Sequence, residues 1–132
     1  MEETKPRKLY TLVMVMQGDR ILLGMKKRGF GAGKWNGFGG KVESGETIEA
    51  AAKRELEEEC GVVVRLEDLT KIGIVSFDIQ HVPNIMEVHV FLAHEFSGEV
   101  QESDEMQPRW FHLDSVPFDS MWPDDKFWFP FL

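Results

Sequence analysis

The sequence predicts an α/β protein, a mixed β-sheet flanked by helices. Three observations carry that expectation. Segments of strand-like composition come first, a strong helix follows, and further strand-like segments precede a second helical pattern. At 132 residues the chain suits one domain with one core. Its hydrophobic content, 42%, is ordinary for a soluble globular protein.

The first element is a hairpin. Residues 8–16 (KLYTLVMVM) are rich in β-formers, Gly18 and Asp19 mark a turn, and residues 20–25 (RILLGM) return. Residues 26–34 (KKRGFGAGK) and 35–42 (WNGFGGKV) combine basic side chains with glycine, which suits a loop that approaches a ligand closely. Residues 47–60 (TIEAAAKRELEEEC) read as a helix, with Thr47 as N-cap and Gly61 as the residue that stops it. Strands are expected at 62–65, 71–78, 86–95 and 109–112, and Pro123 opens a second helical pattern through Trp128.

Composition narrows the partners. A net charge of −8 opposes binding to a nucleic-acid polymer, where lysine and arginine must displace counterions. No apolar run is long enough for a membrane span, and MEETKPRK lacks the apolar core of a secretory signal. A cytoplasmic protein is therefore expected, with mitochondrial or nuclear pools also open to it. Cys60 has no second cysteine to pair with and reads as a small packed hydrophobe. The four histidines have no spacing that ties them to another ligand, so zinc is not expected.

The helix at 47–60 places acids on its apolar side. At about 3.6 residues per turn, Ile48, Ala52, Leu56 and Cys60 form one ridge, widened by Ala51. Glu55 and Glu59 project between Ala51 and Ala52, Glu58 lies at the border of the stripe, and Glu57 points away. Three neighbouring carboxylates destabilise a helix unless a positive charge compensates them, and Mg2+ favours carboxylate oxygens together with substrate phosphates. An acidic stretch standing alone is usually a solvated helix face. This one lies within GKVESGETIEAAAKRELEEECGV, where Gly40, Glu46, Arg54, Glu55, Leu56, Glu58, Glu59, Gly61 and Val62 occupy every specified position of the Nudix signature.

The chain thus resembles the Nudix hydrolases. That resemblance implies a single Nudix domain over residues 1–132, an α/β/α sandwich that holds divalent ions, Mg2+ with Mn2+ able to substitute. It makes Glu55, Glu58 and Glu59 metal ligands, aided by a backbone carbonyl at Gly39 or Gly40. Arg54 would orient the acids, and Glu105 in ESDEM would approach the ion. Either Glu58 or Glu59 fits the role of general base.

Beyond the signature, LYTLV, GMKKRGFGAGKWNGFGGKV, MEVHVF, ESDEM and MWPDD resemble the branch of the family that converts oxidised purine nucleoside triphosphates, 8-oxo-dGTP and 2-hydroxy-dATP, to monophosphate and pyrophosphate. By that resemblance Asn36, Trp122, Pro123, Asp124 and Asp125 recognise the base, and Thr11, Lys26 and Phe38 lie near the nucleotide. Physical reasoning agrees for several of them. Adjacent acids in one pocket do not both ionise cheaply, so one of Asp124 and Asp125 can donate while the other accepts. Asn36 offers a donor and an acceptor, and Trp122 a stacking face. Phe30, Phe77, Met86 and Trp128 are candidate walls, and Lys26, Lys27, Arg28 and Lys34 can attract phosphates.

Members of this branch continue into a further β-hairpin that this sequence, ending WFPFL, does not contain. The partner expected is a small nucleotide, and the oligomeric state a monomer. Two alternatives stand beside this reading: a Nudix hydrolase for another nucleoside diphosphate derivative, and a Nudix module that only binds nucleotide.

Overall fold

The computed structural model describes residues 5–29 and 32–121. Among these residues six strands form one mixed sheet: β1 (Arg7–Gln17), β2 (Arg20–Lys26), β3 (Trp35–Asn36), β4 (Thr70–Phe77), β5 (Ile85–Ala93) and β6 (Met106–His112), with one α-helix, α1 (Ile48–Cys60), after β3. The order across the sheet is β3-β2-β1-β5-β4, and β6 pairs along the whole of β2 from its other edge.

Alternation along β1 assigns its side chains to two cores. Val13 and Val15 pack with Ala52, Leu56 and Cys60 of α1. Met14 and Met16 face the other way, with Ile21, Leu23, Trp35, Val88, Val90 and Leu92. Parallel pairing of β1 with β5 places both strands inside the sheet, which explains the unbroken buried run from residue 88 to 93. Among the described residues, strand β4 ends the sheet. Ile72 and Ile74 are exposed there, and a bulge between Lys71 and Gly73 disturbs the edge.

The expected hairpin is present, with Gly18 at φ 61° in its turn. Helix α1 also forms as its sequence suggests. Thr47 Oγ1 accepts from Ala50 N at 3.1 Å, and Gly61, at φ 77°, donates its N–H to Glu57 O. Leu56 is wholly buried, and truncating it to alanine would cost about 3 kcal/mol.

Three expectations need correction. Residues 62–65 are apolar and buried at Val62 and Val64, yet they make only one bridge, Val63 to Ser97. Gly61 and Gly98, both at positive φ, bring their backbones so close that a Cβ on Gly98 would stand 2.6 Å from Gly61 O, and the chain turns away after one pair. Residues 35–42 are not simply a loop, because they contain β3 and continue as a partner of β1. The last strand begins at Met106, three residues earlier than its composition suggests. The second helical pattern, from Pro123, lies outside the described residues. No described helix is long and apolar enough to cross a membrane.

Candidate active site

Strands β1 and β2 pair only near their turn, from Val15 and Leu22 to Gln17 and Arg20. Beyond that they separate, and residues 35–42 fill the gap. Trp35 and Asn36 pair with Met25 and Gly24 of β2. The segment then crosses to β1: Phe38 and Val13 exchange two backbone hydrogen bonds at 2.9 and 2.6 Å, Thr11 N donates to Gly40 O at 2.9 Å, and Val42 N donates to Leu9 O at 2.9 Å. This wedge tolerates no side chain at Gly39, where a Cβ would stand 1.8 Å from Thr11 O. At Gly40 a Cβ would meet the Glu55 carboxylate at 2.8–2.9 Å. The glycines thus let α1 set an acid directly on the wedge backbone.

Two electrostatic settings arise on this one segment. Arg54 grips Glu46 through Nε and Nη2 at 2.7 and 2.8 Å, and reaches Glu55 at 2.8 Å, Glu58 at 3.2 Å and the Lys41 carbonyl at 3.3 Å. That bidentate guanidinium, together with the Glu43 N–H, holds the Glu46 carboxyl down at about 2. Glu55 also touches Arg54, but burial outweighs it and raises the carboxyl above its usual range. Glu59 is pushed up to about 8 by burial and by the neighbouring Glu55 charge, against a 2.7 Å hydrogen bond from Gly39 N. Across the cleft, Arg28 donates to Glu105 Oε1 through Nη2 at 2.7 Å and Nε at 3.2 Å, and this contact lowers the Glu105 carboxyl.

These groups enclose an open cleft of about 470 Å3, lined by Lys26, Arg28, Gly39, Glu55, Glu58, Glu59, Ser103, Asp104 and Glu105. Five of the proposed metal-binding positions therefore share one cavity, and the sixth, Gly40, lies directly beneath Glu55. Among the described residues, no three acidic, histidine or cysteine side chains are already gathered around one point. Glu55 and Glu58 turn instead to Arg54. An all-oxygen donor set that includes two carboxyls raised by burial still suits a hard divalent cation, since that charge would relieve the repulsion.

The remaining candidates are distributed differently. Phe38 is wholly buried in the α1-side core, against Gly24 and Met106, and does not line the cleft. Thr11 is also buried, and among the described residues its Oγ1 has no hydrogen-bond partner. The Asn36 Oδ1 accepts from Gly37 N at 2.8 Å. Phe77 and Met86 are partly buried on the sheet face opposite α1, beside Tyr10, Leu12 and Met25. Lys27 is paired with Glu102, and neither lines the cleft. Phe30, Trp122, Pro123, Asp124, Asp125 and Trp128 lie outside the described residues. The buried His89 bonds Glu87 at 2.8 Å. Sequence reasoning missed Ser103, whose hydroxyl accepts from Met106 N at 3.1 Å and shapes the loop that carries Glu105; a serine three residues before a strand was the available signal.

The Nudix domain family model matches residues 6–132. The chain belongs to the Nudix family. Its Nudix relatives include the oxidized purine nucleoside triphosphate hydrolases of Mus musculus and Danio rerio, each 58% identical over 125 residues that span 95% of this chain and 79% of the relative. Among solved structures, the MutT Nudix hydrolase from Burkholderia pseudomallei superposes with a TM-score of 0.78 at 34% identity, covering 86% of this chain and 88% of that one. The mixed sheet and helix described above are thus those of a Nudix hydrolase.

Proposed function

We propose that this Nudix hydrolase converts oxidised purine nucleoside triphosphates, 8-oxo-dGTP and 2-hydroxy-dATP, to the monophosphate and pyrophosphate, and so clears them from the nucleotide pool. The observation that carries this reading is the 58% identity to two hydrolases of that name, sustained over 95% of the chain. An alignment of that length spans the segments outside the signature, such as GMKKRGFGAGKWNGFGG and MWPDD, where substrate choice would reside.

The reaction joins a water oxygen to phosphorus, breaks a phosphoanhydride P–O bond, and passes the proton of the water to a base. Glu55, Glu58, Glu59 and Glu105, with a carbonyl at Gly39 or Gly40, would hold Mg2+. When bound, the ion neutralises phosphate charge and makes the attacking water more acidic. Arg54 keeps Glu55 and Glu58 in place. Gly39 N–H fixes one oxygen of Glu59, and the desolvated setting of that carboxyl suits proton transfer near neutral pH. Lys26 and Arg28, on the cleft wall, would meet the phosphates.

The base is placed on the opposite side of the sheet in this reading. Tyr10, Leu12, Met25, Phe77 and Met86 are partly buried there. They would form an apolar floor for the purine, with Asn36, Trp122, Asp124 and Asp125 supplying polar recognition and stacking. We further read the protein as a cytoplasmic monomer whose partner is a small nucleotide. The test is pyrophosphate release from 8-oxo-dGTP, 2-hydroxy-dATP, dGTP and ADP-ribose, with Mg2+ and then with a chelator. Mg2+-dependent preference for the oxidised triphosphates is expected; comparable turnover of dGTP, or activity on ADP-ribose alone, would remove the oxidised-purine assignment.

A further inference from the structure

The end of β2 and the loop before β6 are tied to each other three times. Lys27 N donates to Glu105 O at 2.9 Å, the Lys27 side chain is ion-paired with Glu102, and Arg28 places two N–H groups on the Glu105 carboxylate. Only the third tie stands inside the cleft, where Arg28 and Glu105 share the walls with Glu55, Glu58 and Glu59. Both of its N–H groups converge on one oxygen, Oε1. The other, Oε2, has no hydrogen-bond donor among the described residues.

A guanidinium donates to carboxylate and phosphate oxygens alike, so the two compete for it. The Arg28 and Glu105 side chains are 67% and 50% exposed, and a pair that wet is weakly held. A polyphosphate carrying several charges would displace the carboxylate readily. We propose that Arg28 is a positioning residue that changes partner during binding: it holds Glu105 in the resting cleft, passes to the phosphates as nucleotide enters, and so releases the Glu105 carboxylate to the divalent ion. This inference rests on the reading of the cleft as a site for a metal-bound polyphosphate.

The exchange has consequences for metal binding that need no turnover. In the resting protein Arg28 competes with the ion for Glu105, so removing the guanidinium should tighten the ion, and the gain must pass through Glu105. Mn2+ titration of the full chain, followed by electron paramagnetic resonance without nucleotide, reads this directly. Arg28→Gln is expected to bind Mn2+ about threefold tighter than the unsubstituted protein, the size that release from an exposed ion pair allows. In a Glu105→Gln background the same substitution should bring no gain. An unchanged Mn2+ affinity in Arg28→Gln would overturn the exchange. A gain that persists without Glu105 would do so too, because it would report only the removal of a nearby positive charge.

The phosphate half is read in steady state, with the triphosphate that the substrate panel selects. Arg28→Gln should raise KM about tenfold while changing kcat less, and Arg28→Lys should recover part of the loss. Arg65→Gln, which removes an ion pair with Asp68 outside the cleft, should move neither KM nor Mn2+ affinity. Equal effects of Arg65→Gln and Arg28→Gln would reduce Arg28 to general surface charge and overturn its role. If oxidised purine triphosphates are not hydrolysed, the substrate assignment fails while the Mn2+ comparison still decides the exchange. Absence of any Mn2+ binding would instead remove the metal reading and the exchange together.

Discussion

Glu46 and Glu59 lie on one loop-helix segment and meet opposite surroundings. Arg54 answers Glu46 with two N–H groups and holds its carboxyl at about 2, whereas Glu59 is buried beside Glu55 and pushed up to about 8. The first corner is complete as folded: cation, anion and backbone carbonyl satisfy one another. The second retains a repulsion that the fold alone does not relieve. A carboxylate with its partners supplied reads as architecture, and one that is desolvated beside a like charge in a cleft reads as chemistry.

The largest test of that contrast is Glu59→Gln. If the second corner exists for chemistry, turnover should fall about 10^3-fold while the thermal midpoint stays level or rises, since a buried repulsion has been removed. Retained turnover, or a protein that unfolds, would erase the distinction between the corners. Pyrophosphate release and calorimetry on the same sample decide it.

Gly39 and Gly40 sharpen it further, because adjacent substitutions should fail in different ways. An added methyl at Gly39 strikes the Thr11 carbonyl, which is central backbone, so Gly39→Ala should cost about 3 kcal/mol or more in denaturant unfolding. At Gly40 the methyl meets the end of the Glu55 side chain, which can swing aside. Gly40→Ala should therefore lose only about 1 kcal/mol of stability but about tenfold or more in turnover, as a misplaced acid would. Equal stability losses would place Gly40 in the scaffold rather than in the site.

The smallest expected effect is a pH slope in metal-free protein. The folded Glu59 carboxyl lies above its ordinary value of 4.5, so its contribution to stability is full below about 4.5 and is lost as pH rises through about 8. Glu46 lies below its ordinary value, so its contribution is present above about 4.5 and disappears only as pH falls through about 2. Thermal midpoints in chelator should accordingly decline from pH 5 to pH 8, and Glu59→Gln should flatten that decline. A slope that survives the substitution would assign it to other groups.

Much of this is legible in the sequence. Periodicity placed Glu55 and Glu59 on the buried side of α1 and Glu57 outside, and the structure agrees, because a cap-to-cap helix leaves little freedom in which way its side chains point. Local signals failed where tertiary contacts decide. Nothing in WNGFGGKV says that it pairs first with β2 and then with β1, since that depends on the two strands separating. Nothing in the sequence around Phe38 says that its ring fills the space that Gly24 leaves open. Val62 and Val64 have the composition of a strand, but the close glycine pair at 61 and 98 turns the chain away. Arg28 and Glu105 are far apart in sequence, and only the register of β2 with β6 brings them together.

The wedge gives this protein an uncommon relation between cooperativity and catalysis. Binding loops commonly belong to the low-stability part of a fold and open on their own. Here the segment that carries Gly39 and Gly40 is hydrogen-bonded into the central strand through Phe38, Gly40 and Val42, so it cannot open locally without breaking the middle of the sheet. Amide exchange at Thr11 and Val13 should be as slow as global unfolding, and warming should abolish activity and structure in a single transition instead of silencing the site first.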